Sequence, residues 1–255
     1  MNRINQLFKE KKNNILSIYY TAGYPELDDT IAIAEALEKA GADMLEIGFP
    51  YSDPVADGPT IQASSKQSLD SGMDLNLLFT QLKDLRKRVT IPVLLMGYVN
   101  PVLQYGVERF CKACAEVGVD GCIVPDLPMA EYEEFYKDIF LENGLSNIFL
   151  VTPQTSVSRI HKIDSLSNGF IYLLSASATT GKNLEVSDTT TTYFSRIAEM
   201  KLNNPTMIGF GISSRETFDK ACKYANGGII GTAFVKSLHA GTIDADVASF
   251  MKEFV

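Results

Sequence analysis

The chain contains no Trp, only two His and four Cys, and it has no long uninterrupted apolar run. So few His make a histidine-rich metal site or a His-relay mechanism awkward, although a single His could still act. A membrane span needs about 20 consecutive apolar residues. The N-terminal MNRINQLFKEKKNNIL is polar, where a secretory leader needs a continuous apolar segment. A cytoplasmic protein with reduced thiols is therefore expected. Positive charge is also scarce. There are 23 Lys+Arg against 31 Asp+Glu, a formal net charge of −8 and a pI near 4.9. Such a balance argues against nucleic acid, which favours basic faces. Disorder is excluded, since 45% of the 255 residues are hydrophobic.

The few cysteines invite a metal reading, because Cys111 and Cys114 form a C-x-x-C with Cys122 nearby. Zinc needs a fourth ligand, and the remaining Cys222 is distant in the chain. The segment FCKACAEVGVDGC reads instead as an amphipathic helix running into a strand, with thiols as small core residues. No metal is expected.

What the sequence does have is a regular alternation. Short β-branched and apolar runs lie at 16–20, 44–47, 93–96, 121–124, 148–151, 171–174, 206–209 and 228–230. Most are continuously apolar, as in parallel strands buried on both faces. Longer helical patterns separate them, giving about 30 residues per strand and helix, the spacing of βα units. Asp28, Asp29 and Thr30 can cap a helix whose inner face is Ile31, Ala34 and Leu37, with Gly41 ending it. Ser213 and Glu216 have the spacing of a capping box ahead of Phe218 and Ala221. Leu75, Leu78, Leu82 and Leu85 repeat at helical spacing and read as core.

Eight such units predict an α/β fold, a TIM (β/α)8 barrel, with an extra N-terminal helix over 4–11 covering its bottom. No linker or composition break divides residues 1–255, so a single barrel domain is expected. An open doubly wound sheet is the alternative, but the first strand runs into TAGYP rather than G-x-G-x-x-G.

Functional groups of a barrel gather at the C-terminal ends of its strands. The second strand runs into EIGFPYSDPVADGPTIQ, with three Pro, two Gly and three carboxylates in residues 46–62. Glu46 lies inside an apolar run. If it points into the barrel mouth, desolvation raises its pKa and fits it for acid–base work near neutral pH. Otherwise it forms a salt bridge or faces water. Asp57 lies on a Pro/Gly-rich loop, where an Asp is either a turn former or a functional group. GFGISS at 209–214 and GGIIGTA at 227–233 offer glycine turns whose backbone N–H groups can cradle a phosphate. An acidic protein can hold an anionic substrate in this way. The small, polar stretch 175–185 reads as a lid or a plain loop.

The run LEIGFPYSDPVADGPTIQ resembles the signature of the tryptophan synthase alpha subunit family. The likeness extends through YYTAGYP, PVLLMGY, GVDGCIVPDLP, YLLSASATTG, GFGIS and GGIIGTAFVK, essentially the whole chain. The resemblance implies a lyase that splits indole-3-glycerol phosphate into indole and glyceraldehyde 3-phosphate by a retro-aldol reaction. It assigns Glu46 as the proton shuttle to the indole ring carbon and Asp57 as the partner of the indole N–H. Tyr172 matches an active-site Tyr, and Thr180 the lid Thr that closes with Asp57. Gly181, Gly211, Gly231 and Thr232 match the phosphate cradle, the last being commonly Ser. Tyr19 and Ile61 match positions lining the indole pocket. Asp53 and Pro54 lie where the family meets its beta subunit.

No cofactor is implied in this chain; pyridoxal phosphate (PLP) would belong to the beta partner of an alpha2beta2 heterotetramer. The strand ends offer no obvious Schiff-base Lys. The lid departs from the family's Ser-x-x-Gly-Val-Thr-Gly, with Ala178 and Thr179 in place of Gly-Val. Its mobility and its response to the beta subunit are expected to differ. A free-standing indole-3-glycerol phosphate lyase, another phosphosugar barrel enzyme and an idle activating subunit are the competing readings. Intact Glu46 and Asp57 argue against the last.

Overall fold

The computed structural model describes residues 2–174, 188–209 and 211–255, with side chains from 191 onward in the second stretch. Among these residues nine strands run β1 (Ile15–Thr21), β2 (Met44–Gly48), β3 (Val93–Met96), β4 (Gly121–Ile123), β5 (Ser146–Asn147), β6 (Phe149–Val151), β7 (Ile171–Leu174), β8 (Thr206–Gly209) and β9 (Gly227–Ile230). Every ladder is parallel, in the order β5-β4-β3-β2-β1-β9-β8-β7-β6. The two ends of that order, β5 and β6, are adjacent in the chain. β6 falls within the expected fifth strand, 148–151, and β5 extends it backward to Ser146 across a break at Ile148, whose N–H still bonds to Cys122 O at 2.9 Å. The front piece pairs with β4 and the rear piece with β7, so the sheet curls into a nearly closed TIM barrel of eight staves.

Two cores follow from the period-2 alternation of the strands. Inside the barrel lie Ile15, Met44, Leu94, Ile123, Ile148, Tyr172, Met207 and Ile229. The alternate residues, such as Leu16, Ile18, Leu45, Ile47, Val93 and Leu95, pack outward against the helices. The predicted N-terminal helix is present as Arg3–Glu10, and its Ile4 and Phe8 close the interior from below. It is anchored by Asn2, which donates to Asp120 O (2.6 Å) and Gly144 O (2.9 Å), and by the Arg3–Asp120 ion pair (3.0 Å).

The leucines at 75, 78, 82 and 85 are all buried, as expected, although a 3-10 turn at Leu82–Asp84 divides their helix. Cys111 and Cys114 are buried on the inner side of helix Val107–Val117, and burial pushes both thiols up. Among the described residues no set of three or more His, Cys, Asp or Glu is gathered for a metal.

Two helix starts differ in detail. The capping box forms one residue later than Ser213: Ser214 caps Arg215–Ala221 and Thr217 takes the return position. Glu216 is engaged elsewhere, with Lys220 at 2.6 Å. Asp29 precedes helix Thr30–Lys39 without a side-chain cap, since its carboxylate accepts from Glu26 N–H at 3.0 Å. On that helix Ile33 and Ala36 join Ala34 and Leu37 on the buried face, and Ile31 is half-buried.

Candidate active site at the barrel mouth

The inward positions of β2 are Met44, Glu46 and Gly48, so the strand presents one carboxylate to the barrel interior. Glu46 has 0% exposure. Its Oε1 accepts from Ser17 Oγ on β1 at 2.9 Å, and its Oε2 has no hydrogen-bond partner among the described residues. Desolvation pushes its carboxyl up to about 8, against the opposing pull of the Ser17 hydrogen bond. The branch of the sequence reading with an inward, desolvated Glu46 is the one realised. No ion pair to Glu46 is found among the described residues.

The loop after β2 carries Asp57 to the mouth. Tyr98, just past β3, donates its O–H to Asp57 Oδ2 at 2.9 Å and accepts from Ala56 N–H at 3.1 Å. Burial raises the Asp57 carboxyl and the Tyr98 bond lowers it. Gln62 Nε2 donates to Asp57 O at 2.6 Å, tying the loop to the first turns of helix Pro59–Asp70. A cavity of about 400 Å³ opens here, lined by Tyr19, Asp57, Met96, Tyr98, Leu150 and Leu174 among others. Its lining mixes apolar and aromatic side chains with the Asp57 carboxylate, the Arg159 guanidinium and the hydroxyls of Thr152 and Thr155.

Two tyrosines sit on glycines at strand ends. A Cβ on Gly48 would fall inside the phenol of Tyr19, and one on Gly209 would fall inside the phenol of Tyr172. Tyr19 lies opposite Glu46 in the β1–β2 register, and its ring fills the layer above Glu46. Tyr172 is 3% exposed. Burial raises both phenols, and neighbouring Asp57 and Glu46 raise them further.

The glycine turns of β8 and β9 are neighbours, because these strands pair. Gly211 has φ +78°, a conformation that favours glycine, and Gly231 precedes helix Thr232–Ser237 with the Tyr19 ring packed beside it. The structure thus brings Glu46, Asp57, Tyr19, Tyr172, Gly211, Gly231 and Thr232 to one end of the barrel. Ile61 is buried on helix Pro59–Asp70 and does not line the cavity. Pro54 lines the cavity rim, Asp53 is exposed, and Val55 beside them is 80% exposed. Thr180, Gly181, Ala178 and Thr179 lie outside the described residues.

Sequence reasoning missed Ser17 and Tyr98. Tyr98 stood in the quoted PVLLMGY, at a strand end where the barrel rule directs attention. Ser17 is a lone hydroxyl in the apolar run ILSIYY, and only the register of β1 on β2 reveals its partner.

A buried neutral carboxyl and a loop carboxylate at the mouth of a parallel barrel define an enzyme of acid–base chemistry on a small, partly apolar substrate. The tryptophan synthase alpha chain family model matches residues 5–253. The alpha chain of Flavobacterium psychrophilum is 56% identical over 253 residues, covering 99% of both chains. That of Christiangramia forsetii is 54% identical over 254 residues, covering 99% of this chain and 98% of the relative. In the structure of Mycobacterium tuberculosis tryptophan synthase, a chain 30% identical superposes with a TM-score of 0.90, over 99% of this chain and 96% of that one. The alpha chain of Legionella pneumophila gives 0.88 at 30% identity, over 100% and 96%. The chain belongs to the tryptophan synthase alpha chain family, and it is a lyase of indole-3-glycerol phosphate cleavage.

Proposed function

We propose that Glu46 and Asp57 divide the cleavage of indole-3-glycerol phosphate between them, in a single barrel domain that works beside a beta subunit. Breaking the bond between ring and glycerol chain needs three things: a proton on the ring carbon, loss of the proton from the adjacent glycerol hydroxyl, and stabilisation of positive charge at the indole nitrogen. Glu46 is neutral near pH 7 and can deliver the first proton. Its carboxylate then accepts the hydroxyl proton, which restores the acid as the aldehyde forms. Asp57 accepts the indole N–H and offsets the charge on nitrogen. Tyr19 and Tyr172 flank the ring, and Ile61 supports the pocket from behind.

The phosphate is held by backbone N–H groups at Gly211, Gly231 and Thr232; Gly181 of the same cradle and Thr180, the family's partner of Asp57, lie outside the described residues. Neutral donors of this kind suit a chain whose net charge is −8. The observation that carries the reading is the burial of Glu46, with one hydrogen bond and, among the described residues, no partner for its second carboxyl oxygen.

Asp53 and Pro54 contribute to the contact with the beta subunit in an alpha2beta2 complex. PLP belongs to that partner and supplies the later condensation chemistry there. The complex is placed in the cytoplasm; among the described residues no helix is long and apolar enough to cross a membrane. The test is indole release from indole-3-glycerol phosphate by the Asp57→Asn chain, with and without a beta subunit. A loss of about 10²-fold or more is expected. Turnover within a few-fold of the parent would remove Asp57 from the chemistry. A beta subunit that changes nothing would leave a free-standing lyase.

A further inference from the structure

We infer that Ser17 is a positioning residue that fixes which oxygen of Glu46 carries the exchangeable proton. Ser17 is on the inner face of β1 with 0% exposure. Its neighbours there are Ile15 and Tyr19 along the strand, and in register Met44 on β2 and Ile229 on β9. Packing alone would favour an aliphatic side chain among such neighbours, since a buried hydroxyl without a partner is unfavourable. The partner is Glu46 Oε1, at 2.9 Å.

That contact breaks the symmetry of the carboxyl. A carboxyl oxygen that accepts from Ser17 O–H is the carbonyl end of the neutral acid. The acidic proton therefore sits on Oε2, the oxygen without a partner among the described residues. In the cleavage, Oε2–H gives its proton to the ring carbon as the carbon–carbon bond breaks. The same carboxylate takes the proton of the glycerol hydroxyl as the aldehyde forms, so Glu46 ends as it began. Ser17 holds the side chain in one rotamer through both transfers and touches no reacting atom.

This inference rests on Glu46 as the proton carrier, and the experiment separates the two. Among the described residues the titratable groups facing Glu46 are Tyr19 on β1 and Tyr172 on β7, and both of these also feel Asp57 on the loop after β2. Leu94 of β3, Met207 of β8 and Ile229 of β9 present apolar faces. A hydrogen bond donated to the carboxylate favours the charged form, so its loss raises the Glu46 pKa. Activity that needs the neutral acid then persists to higher pH.

Ser17→Val and Ser17→Thr form the informative pair, because they share a shape and differ in the hydroxyl. Ser17→Ala adds a smaller apolar change, and melting temperatures verify folding. Indole release from indole-3-glycerol phosphate is followed from about pH 6 to about pH 10. Ser17→Val and Ser17→Ala are expected to lose about tenfold in kcat with little change in KM, and to move the alkaline limb of kcat/KM up by about one pH unit. Ser17→Thr is expected to retain the parent limb and most of kcat. Identical limbs and rates in the Val and Thr variants would overturn the role of Ser17. Parent-like turnover in a parallel Glu46→Gln control would instead overturn Glu46 itself.

Discussion

The phenol of Tyr98 holds Asp57 from two sides, donating to its Oδ2 at 2.9 Å while accepting from the N–H of the preceding Ala56 at 3.1 Å. One hydroxyl thus fixes both the side chain and the backbone of the loop that carries it. Tyr98→Phe removes both bonds and keeps the ring, which packs on Tyr51 at 5.4 Å between centroids. A fall of about tenfold in kcat/KM is expected, as for loss of a hydrogen bond to a charged group. The bond lowers the Asp57 carboxyl, so its removal moves the acid limb of the pH profile upward. An unchanged acid limb would show that Tyr98 does not act through Asp57.

Glu46 is a stability liability in the folded chain. Its folded pKa, about 8, lies above the ordinary carboxylate value of 4.5. Below the ordinary value both folded and unfolded states hold the proton, and burial of the neutral acid carries no penalty from ionisation. As the pH rises toward the folded value, the unfolded chain ionises first and the native state loses ground. Glu46→Gln, which cannot ionise, should therefore stabilise the protein by a few kcal/mol near pH 8 and by much less near pH 5. Denaturant melts at the two pH values measure the difference, and equal gains at both would contradict the assigned burial.

Gly48 is required by a side chain on the neighbouring strand. Any Cβ there meets the Tyr19 phenol, which itself packs beside Gly231. Gly48→Ala should cost about 1–3 kcal/mol of stability through overpacking, and should raise KM by displacing the Tyr19 ring into the cavity. Tyr19→Phe in the same chain removes the colliding hydroxyl and should recover part of both losses. Chemical denaturation and steady-state kinetics of the single and double variants test this. Additive losses would count against it.

At the opposite end of the barrel Asp120 is 3% exposed and is bonded to Arg3 at 3.0 Å, Arg86 at 2.6 Å and Val93 N–H at 2.9 Å. Removing one partner from a buried ionic cluster leaves charges uncompensated. Asp120→Ala should cost about 3 kcal/mol of stability without changing kcat at temperatures where the variant is folded. A large kcat defect in folded protein would mean that the bottom of the barrel is coupled to its mouth.

The extent to which these features could be read in the sequence follows from range. The eight strands, the N-terminal helix and the loop after β2 announce themselves locally, through apolar runs and Pro/Gly punctuation. Glu46 and Asp57 stand out for the same reason, as carboxylates in places where composition is unusual, while their proposed roles come from the family resemblance. Ser17 was not, because a Ser in an apolar strand gains meaning only from the register that sets it near Glu46, 29 positions away. Likewise Gly48 reads as an ordinary strand-end glycine and Gly209 as the start of a glycine turn, and neither position reveals the aromatic ring that covers it. The capping box shifted by one residue because Ser213 and Ser214 are both competent caps, and the competition is settled by Thr217, whose N–H donates to Ser214 Oγ at 3.4 Å while its hydroxyl accepts from Ser214 N–H at 3.0 Å.

The most direct measurement is indole release from indole-3-glycerol phosphate by the parent chain and by Glu46→Gln, each alone and with a beta subunit. The parent should release indole and glyceraldehyde 3-phosphate in equal amounts, faster with the beta subunit present. Glu46→Gln should fold, bind the substrate and release none. Near-parental turnover by Glu46→Gln would contradict proton transfer through Glu46.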